Sequence, residues 1–320
     1  MHPFRSIAAA CLLSVTALGA FAQGYPAKPV TIVAPFAAGG SADGIARLVA
    51  RELGQALGQP VIVDNRPGAG GATGLLMVAK ANPDGYTLGI GATGAIAIAP
   101  HLPDAPPLNP EKQLQPLAKV ADIPLVLVTG AKSGFGSLQS LLDKARTTDV
   151  PVANAGQYTA HHLSAELLAS TAKAKLPAVP YKGSTPAVND LLGGQVPAGI
   201  VDLTSVAGHL KAGTIHALAV TSGTRSKLAP EIPTMAEAGV PGYAAPAWMG
   251  LFAPKGIPSA VSDKLAKELN VILEKPEVQK QVLALAAEPA YLDPQQFTSF
   301  IDIESKRWAR VIASLPKPQK

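Results

Sequence analysis

Cysteine is all but missing from this 320-residue chain: the one present, Cys11, sits in an apolar stretch near the start. Beyond residue 22 there is none, which excludes a disulfide framework, a thiolate nucleophile and cysteine ligation of a metal. Charge is sparse at 15%, against an average of about 25% in soluble domains. Aromatic residues are only 5%, so the core must be built from Ala, Val, Leu and Ile. The net charge of +5 comes from Lys and Arg standing singly or in pairs, such as Lys173 and Lys175. A surface that tracks phosphates needs clustered cations, so nucleic acid is excluded as a partner. After the first segment no apolar run is long enough to span a bilayer. What is abundant is hydrophobic side chain, 48% of the total, which is enough to bury a core and excludes disorder.

The first 22 residues carry one cation, Arg5, then an apolar run over 7–21 that ends Ala20-Phe21-Ala22. This pattern predicts a secretory signal peptide over residues 1–22, cut before Gln23. The chain that remains is expected to be exported to the periplasm.

From Val30 onward, short β-branched runs alternate with glycine-rich turns and helical periodicity. Strands are predicted over 30–34, 61–63 and 86–90. Ile45, Leu48, Val49, Leu53 and Leu57 recur at helical spacing, and a second helix is predicted over 71–81. After a proline-rich stretch around 100–116 the rhythm restarts. Strands are expected near 125–128, 151–153, 179–181, 199–202 and 217–221, with helices over 138–146, 161–172 and 186–192 between them. Residues 248–253 form another apolar run, and 259–313 are expected to be helical, with starts signalled by Ser259, Ser262 or Asp263, by Pro276 and by Asp293-Pro294. Alternation of this kind predicts an α/β fold with mainly parallel sheets.

The length suits two domains. The C-terminal helices carry too little strand to form a third, so they are expected to pack back on the first. This gives a discontinuous domain 1, residues 23–124 plus 246–320, and an inserted domain 2, residues 125–245. Two chain crossings, near 122–128 and 245–252, would form a hinge, and the interdomain cleft is the expected ligand site.

The most informative motif is Pro35-Phe36-Ala37-Ala38-Gly39-Gly40-Ser41-Ala42-Asp43, between a buried strand and an amphipathic helix. Its glycines let backbone approach a ligand, and the helix start that follows presents free amides suited to an anion. Similar strand-to-helix turns stand at Asn154-Ala155-Gly156-Gln157-Tyr158-Thr159 and at Tyr181-Lys182-Gly183-Ser184-Thr185-Pro186. Two such starts facing each other across a cleft suit a ligand with polar or anionic groups at both ends. No Gly-Lys-[Ser/Thr] ending marks a phosphate loop, and Gly68-Ala69-Gly70-Gly71-Ala72-Thr73-Gly74 has Thr73 where the dinucleotide fingerprint needs glycine. Gly-x-Ser-x-Gly is absent, and Ser170-x-x-Lys173 stands in the wrong order with Lys132-Ser133-Gly134 for a serine acyl-enzyme set. Adjacent His161 and His162 point to different sides of a helix and cannot share a metal; one of them is a candidate to reach the cleft. The residues thus describe binding without chemistry: no enzyme, no cofactor and no metal. The rival reading is an exported hydrolase with Ser41 as nucleophile.

Further motifs extend this set along the chain. Tyr25-Pro26-x-Lys28-Pro29 precedes the first loop, and Asn65-Arg66-Pro67-Gly68-Ala69-Gly70-Gly71 and Ala81-Asn82-Pro83-Asp84-Gly85-Tyr86-Thr87-Leu88 follow it. Then come Pro180-Tyr181-Lys182-Gly183-x-x-Pro186-Ala187, Ala217-Leu218-Ala219-Val220-Thr221-Ser222, Pro233-Thr234-x-Ala236-Glu237-Ala238-Gly239 and Trp248-x-Gly250-Leu251-x-Ala253-Pro254. In this order, over nearly the whole chain after residue 22, the sequence resembles the substrate-binding proteins of tripartite tricarboxylate transporters, also called Bug receptors.

The resemblance implies a monomeric, two-domain periplasmic binding protein of the type II-like Venus-flytrap kind, delivering a small carboxylated solute to a membrane permease. In such proteins the first strand-to-helix loop holds one carboxylate through backbone amides and ordered water. Carried over, that loop supplies Phe36, Gly39, Gly40, Ser41 and Asp43. Thr93, Gly156, Tyr158, Thr159, Gly183, Ser184 and Asp202 complete the expected pocket. Tyr158 replaces a glycine of the usual turn; its phenol either rotates out to pack on the surface or, the favoured reading, enters the pocket and alters selectivity. Asp202 argues against a ligand carboxylate directly beside it and suits a water, an amine or a ring nitrogen. The same fold could instead serve as a sensory module docking on a membrane histidine kinase.

Overall fold

Strand β1 (Val30–Ala34) is buried along its length except at Thr31, which is half-buried. The computed structural model describes residues 24–315, so the expected signal peptide, residues 1–22, lies outside the described residues. After β1 come α1 (Ser41–Leu57), β2 (Val61–Asn65), α2 (Ala72–Ala79) and β3 (Thr87–Ala92). Helix α1 turns Ile45, Leu48, Val49 and Leu53 inward and stops at Gly58, whose left-handed backbone caps the Gly54 carbonyl. Next are a π-helical turn (Gly94–Ile98), α3 (Pro110–Gln113), β4 (Leu114–Ile123) and β5 (Leu125–Gly130). The middle of the chain runs α4 (Leu138–Ala145), β6 (Val152–Asn154), α5 (Ala160–Ala172), β7 (Ala178–Pro180) and α6 (Ser184–Leu192). It continues through β8 (Ala198–Asp202), α7 (Leu203–Lys211) and β9 (Ile215–Val220). Strand β10 (Ala247–Pro254) is followed by α8 (Ser259–Glu274), α9 (Pro276–Ala284), β11 (Glu288–Leu292) and α10 (Pro294–Ser314).

Two sheets result, one of six strands in the order β11-β4-β10-β3-β1-β2 and one of five in the order β7-β6-β8-β5-β9. Neither is mainly parallel, as the alternation predicts. Strand β1 is parallel to β2 and β3, but β10 is antiparallel to both β3 and β4. The reason lies in the connections. Helical crossovers make neighbours parallel, whereas β4 leads out of the first sheet and β10 leads back, so they run oppositely. In the second sheet β6 is parallel to β7 and β8, while β5 is antiparallel to β8 and β9.

The first crossing between sheets is short: Pro124 alone separates β4 from β5, and the return lies between β9 and β10. Side chains brace this region. The Ser226 hydroxyl donates to Glu288 at 2.6 Å, Arg307 donates to the Ala244 carbonyl at 2.7 Å, and Thr204 donates to the Leu285 carbonyl at 2.6 Å. The C-terminal region is helical except where β11 joins the edge of the six-stranded sheet, a correction to the all-helical expectation. Pro289 hides that strand from sequence reading, since proline is tolerated only at a sheet edge. Helix α10 carries the scarce aromatics to the first sheet: Phe297 and Phe300 meet the Trp248 ring edge-on, with centroids 5.4 and 5.5 Å away. Its start is closed by a capping box between Asp293 and Gln296.

Candidate ligand-binding site

A cavity of about 360 Å³ opens between the two sheets. Its floor on one side is the β1–α1 loop, where Phe36, Gly39, Gly40 and Ser41 face the space. Gly40 occupies the N-cap position of α1 and offers no side chain, so the first amides of that helix carry no side-chain cap. Opposite stands α6, whose N-cap is Gly183, again without a side-chain cap, and Gly183 and Ser184 line the wall. Thr159, Asp202 and Thr93 complete it. Nine of the twelve expected residues therefore meet at one cavity.

The polar centre is Asp202, at the end of β8, where it pairs with Leu125 just past the crossing. One carboxylate oxygen accepts from the Ser41 hydroxyl at 3.1 Å and from the Ser184 hydroxyl at 3.2 Å. The other lies 2.9 Å from His161 Nε2. Burial alone would raise the Asp202 pKa, but the His161 imidazole and these hydrogen bonds hold it below the ordinary carboxylate range. Ser41 belongs to the first sheet's side and Asp202 to the second, so the pair spans the cleft. The partner of the Ser41 hydroxyl is a carboxylate whose pKa is held low, which makes it a weak base for activating a serine nucleophile.

Three expected residues lie outside the cavity wall. Asp43 is turned away, because its carboxylate accepts from the Gly39 amide at 3.0 Å, from Arg47 at 2.9 Å and from Asn65 at 2.9 Å. It shapes the loop from behind, and Asn65 also donates to the Phe36 carbonyl at 3.1 Å. The Gly39 amide is thus occupied, leaving the helix start after Gly40 as the donor group. Gly156 accepts from the Thr159 hydroxyl at 2.6 Å and serves the turn rather than the cavity. Tyr158 does not enter the pocket. Its backbone is left-handed, φ +65°, and its phenol crosses the rim to donate to the Asp104 carbonyl at 2.8 Å.

The packing of that turn supplies the reason. A Cβ added at Gly70 would stand 2.7 Å from the Gln157 carbonyl oxygen, and one at Gly94 would stand 2.6 Å from the Tyr158 carbonyl oxygen. The turn wedges between these two glycines of the first sheet's side, and the ring is held at the rim by its hydroxyl's bond to the Asp104 carbonyl. Thr93 also differs from expectation in role: its hydroxyl accepts from the Trp248 amide at 2.8 Å and joins β3 to β10. His161 is the histidine that reaches the cavity; His162 is outside the wall, and burial lowers its pKa. Sequence reading passed over Lys182, Gly70, Gly94 and Trp248 as wall residues. Lys182 stood inside a quoted motif, but nothing local separated it from any exposed lysine.

A family model described as the tripartite tricarboxylate transporter family receptor matches residues 45–316. The chain belongs to that family. Members are solute-binding receptors of the periplasm, not enzymes. Among similar proteins, BugT of Bordetella pertussis is 40% identical over 294 residues, 91% of this chain and 90% of that protein. The structure of R. palustris Rpa4515 with adipate superposes with a TM-score of 0.85 at 33% identity, covering 91% of this chain and 98% of the other. MatC from Rhodopseudomonas palustris with bound malate gives 0.82 at 31% identity, covering 90% and 100%. The receptor fold is therefore the two-lobed Venus-flytrap type.

Proposed function

We propose that this receptor captures a small organic acid in the cavity between its sheets and hands it to the membrane permease of a tripartite transporter. Residues 1–22 direct export and are removed. The lobes are residues 23–124 with 246–320, and residues 125–245, closing about Pro124 and the return strand as a monomer. The observation that carries this reading is the pair of glycine-capped helix starts, at Ser41 and Ser184, facing one cavity of small-molecule size. Adipate and malate in the similar structures supply the chemical class. Closure follows from contacts to both lobes, because a ligand shifts the open–closed balance only through differential affinity.

A thermal-shift and calorimetric screen of mono-, di- and tricarboxylates, amino acids, sugars and peptides tests the proposal. Carboxylates should raise the melting temperature in step with saturation. Stabilisation by uncharged sugars or peptides alone would overturn it.

A further inference from the structure

Strand β8 runs into α7 without a loop, so the start of α7 carries Asp202 and Ser205 in the cavity wall and Thr204 between them. Thr204 is not part of that wall. Its hydroxyl donates to the Leu285 carbonyl at 2.6 Å, 81 positions along the chain. Leu285 is the C-cap of α9 on the first sheet's side. Ala286 follows in a left-handed conformation, φ +48°, and the amides of Ala286 and Ala287 fold back to the Leu283 and Val282 carbonyls. This helix ending fixes the direction of the Leu285 carbonyl, and the negative end of the helix dipole strengthens it as an acceptor. The Leu285 side chain makes a second contact. A Cβ added at Gly44, in the first turn of α1, would stand 2.9 Å from its Cδ2. One residue therefore touches both the helix whose start faces the cavity and the helix that carries Asp202 at its N-cap.

The Tyr158 turn meets the first sheet's side elsewhere, at Gly70 and Gly94. In the order β3-β1-β2 the chain steps one way from β1 to β2 and back again from β2 to β3. Right-handed crossovers then place α1 and α2 on opposite faces of the sheet. Gly70 precedes α2, whereas α9 packs on α1. The Tyr158–Asp104 and Thr204–Leu285 bonds thus grip the cavity from opposite faces of the first sheet. We propose that Thr204 is a positioning residue whose bond to Leu285 forms as the lobes close and sets how long a ligand is retained. Both partners belong to the protein, so the effect is the same for every ligand the cavity takes. This rests on the reading of capture by closure and names a side chain that secures the closed form.

The chain from residue 23 holds no cysteine, so Ile62→Cys on β2 and Asp149→Cys before β6, both exposed, place one spin label on each lobe. Electron–electron resonance then reads the interlobe distance in this labelled chain and in its Thr204→Val and Thr204→Ser variants, with and without adipate. Thr204→Val keeps the branched shape and removes the donor. It should move the distance distribution toward the open form and raise the adipate dissociation rate about three- to tenfold, the range for one hydrogen bond, with association unchanged. Thr204→Ser should restore both. Without ligand, the melting temperature of Thr204→Val should stay within about two degrees of wild type. A larger fall would show a fixed brace of the fold and overturn the inference. Unchanged distances and dissociation in Thr204→Val would overturn it as well, as would a Thr204→Ser variant that behaves like Thr204→Val. If adipate, malate and the other carboxylates leave the wild-type distances unmoved, it is the capture reading that fails. The ligand-free distributions of the three chains then decide whether Thr204 holds the lobes together.

Discussion

Tyr158 and Asp104 meet across the mouth of the cleft, the phenol hydroxyl donating to the Asp104 carbonyl at 2.8 Å. Tyr158 stands on the turn that precedes α5, and Asp104 lies beyond the π-helical turn on the other lobe. The bond can form only when the lobes are together. Its backbone φ of +65° is a conformation that glycine adopts freely and tyrosine does not.

Removing that hydroxyl should loosen the closed form without disturbing either lobe. Tyr158→Phe is expected to weaken ligand binding about three- to tenfold, the range for one hydrogen bond. Calorimetry would read the affinity, while the melting temperature without ligand should stay within a degree or two of wild type by the same magnitude. An unchanged affinity would show that the contact is incidental to closure.

A steric probe reaches the same motion from the other side. Gly94→Val places a side chain where the Tyr158 carbonyl oxygen lies 2.6 Å from the first added carbon. The lobes should then be held apart, with binding reduced by about a hundredfold or more, a few kcal/mol of clash. Small-angle scattering should show a radius that no longer shrinks on adding ligand.

Gly40→Val tests the loop itself. A Cβ there has only the Ala37 carbonyl oxygen nearby, at 3.8 Å, and the backbone φ of −89° suits any residue. The fold should therefore survive while the added methyl groups crowd the helix start, weakening binding strongly. A wild-type affinity in this variant would remove the loop from the site.

Acid should destabilise the receptor through two carboxylates. Both Asp43 and Asp202 are buried, which raises a carboxyl pKa, yet hydrogen bonds and nearby cations bring each below its ordinary 3.8. A pKa depressed by folding contributes stability that is fully present above 3.8 and is lost as pH falls through the lower folded value. Melting temperature should thus drop below about pH 4, and Asp202→Asn should make that drop shallower.

Much of the fold was legible because its signals are local. The alternation of 30–34 with the periodic Ile45, Leu48, Val49 and Leu53 marked β1 and α1, and Asp293-Pro294 marked the start of α10. Strand β11 was not, since Glu-Pro-Ala-Tyr-Leu carries no alternation and pairs by one edge only. Helix α7 was also missed: it follows β8 without an intervening loop, and Asp202, its N-cap, turns its side chain into the cleft instead of capping. At the site, the glycine-rich turns pointed to loops that line the cavity, while Tyr158 misled because a ring beside a pocket can face either way.

From its order of residues alone this chain determined an α/β alternation, a set of backbone-donor turns and its receptor family. These depend on propensities and spacings within a few residues of each other. Tertiary structure decided which strands run antiparallel, that His161 rather than His162 lines the cavity, and that Ser41 bonds Asp202 across 161 positions of sequence. Such contacts arise only when residues of the two sheets, far apart in sequence, are brought together across the cavity. Their geometry is a property of that packing, and no local pattern encodes it.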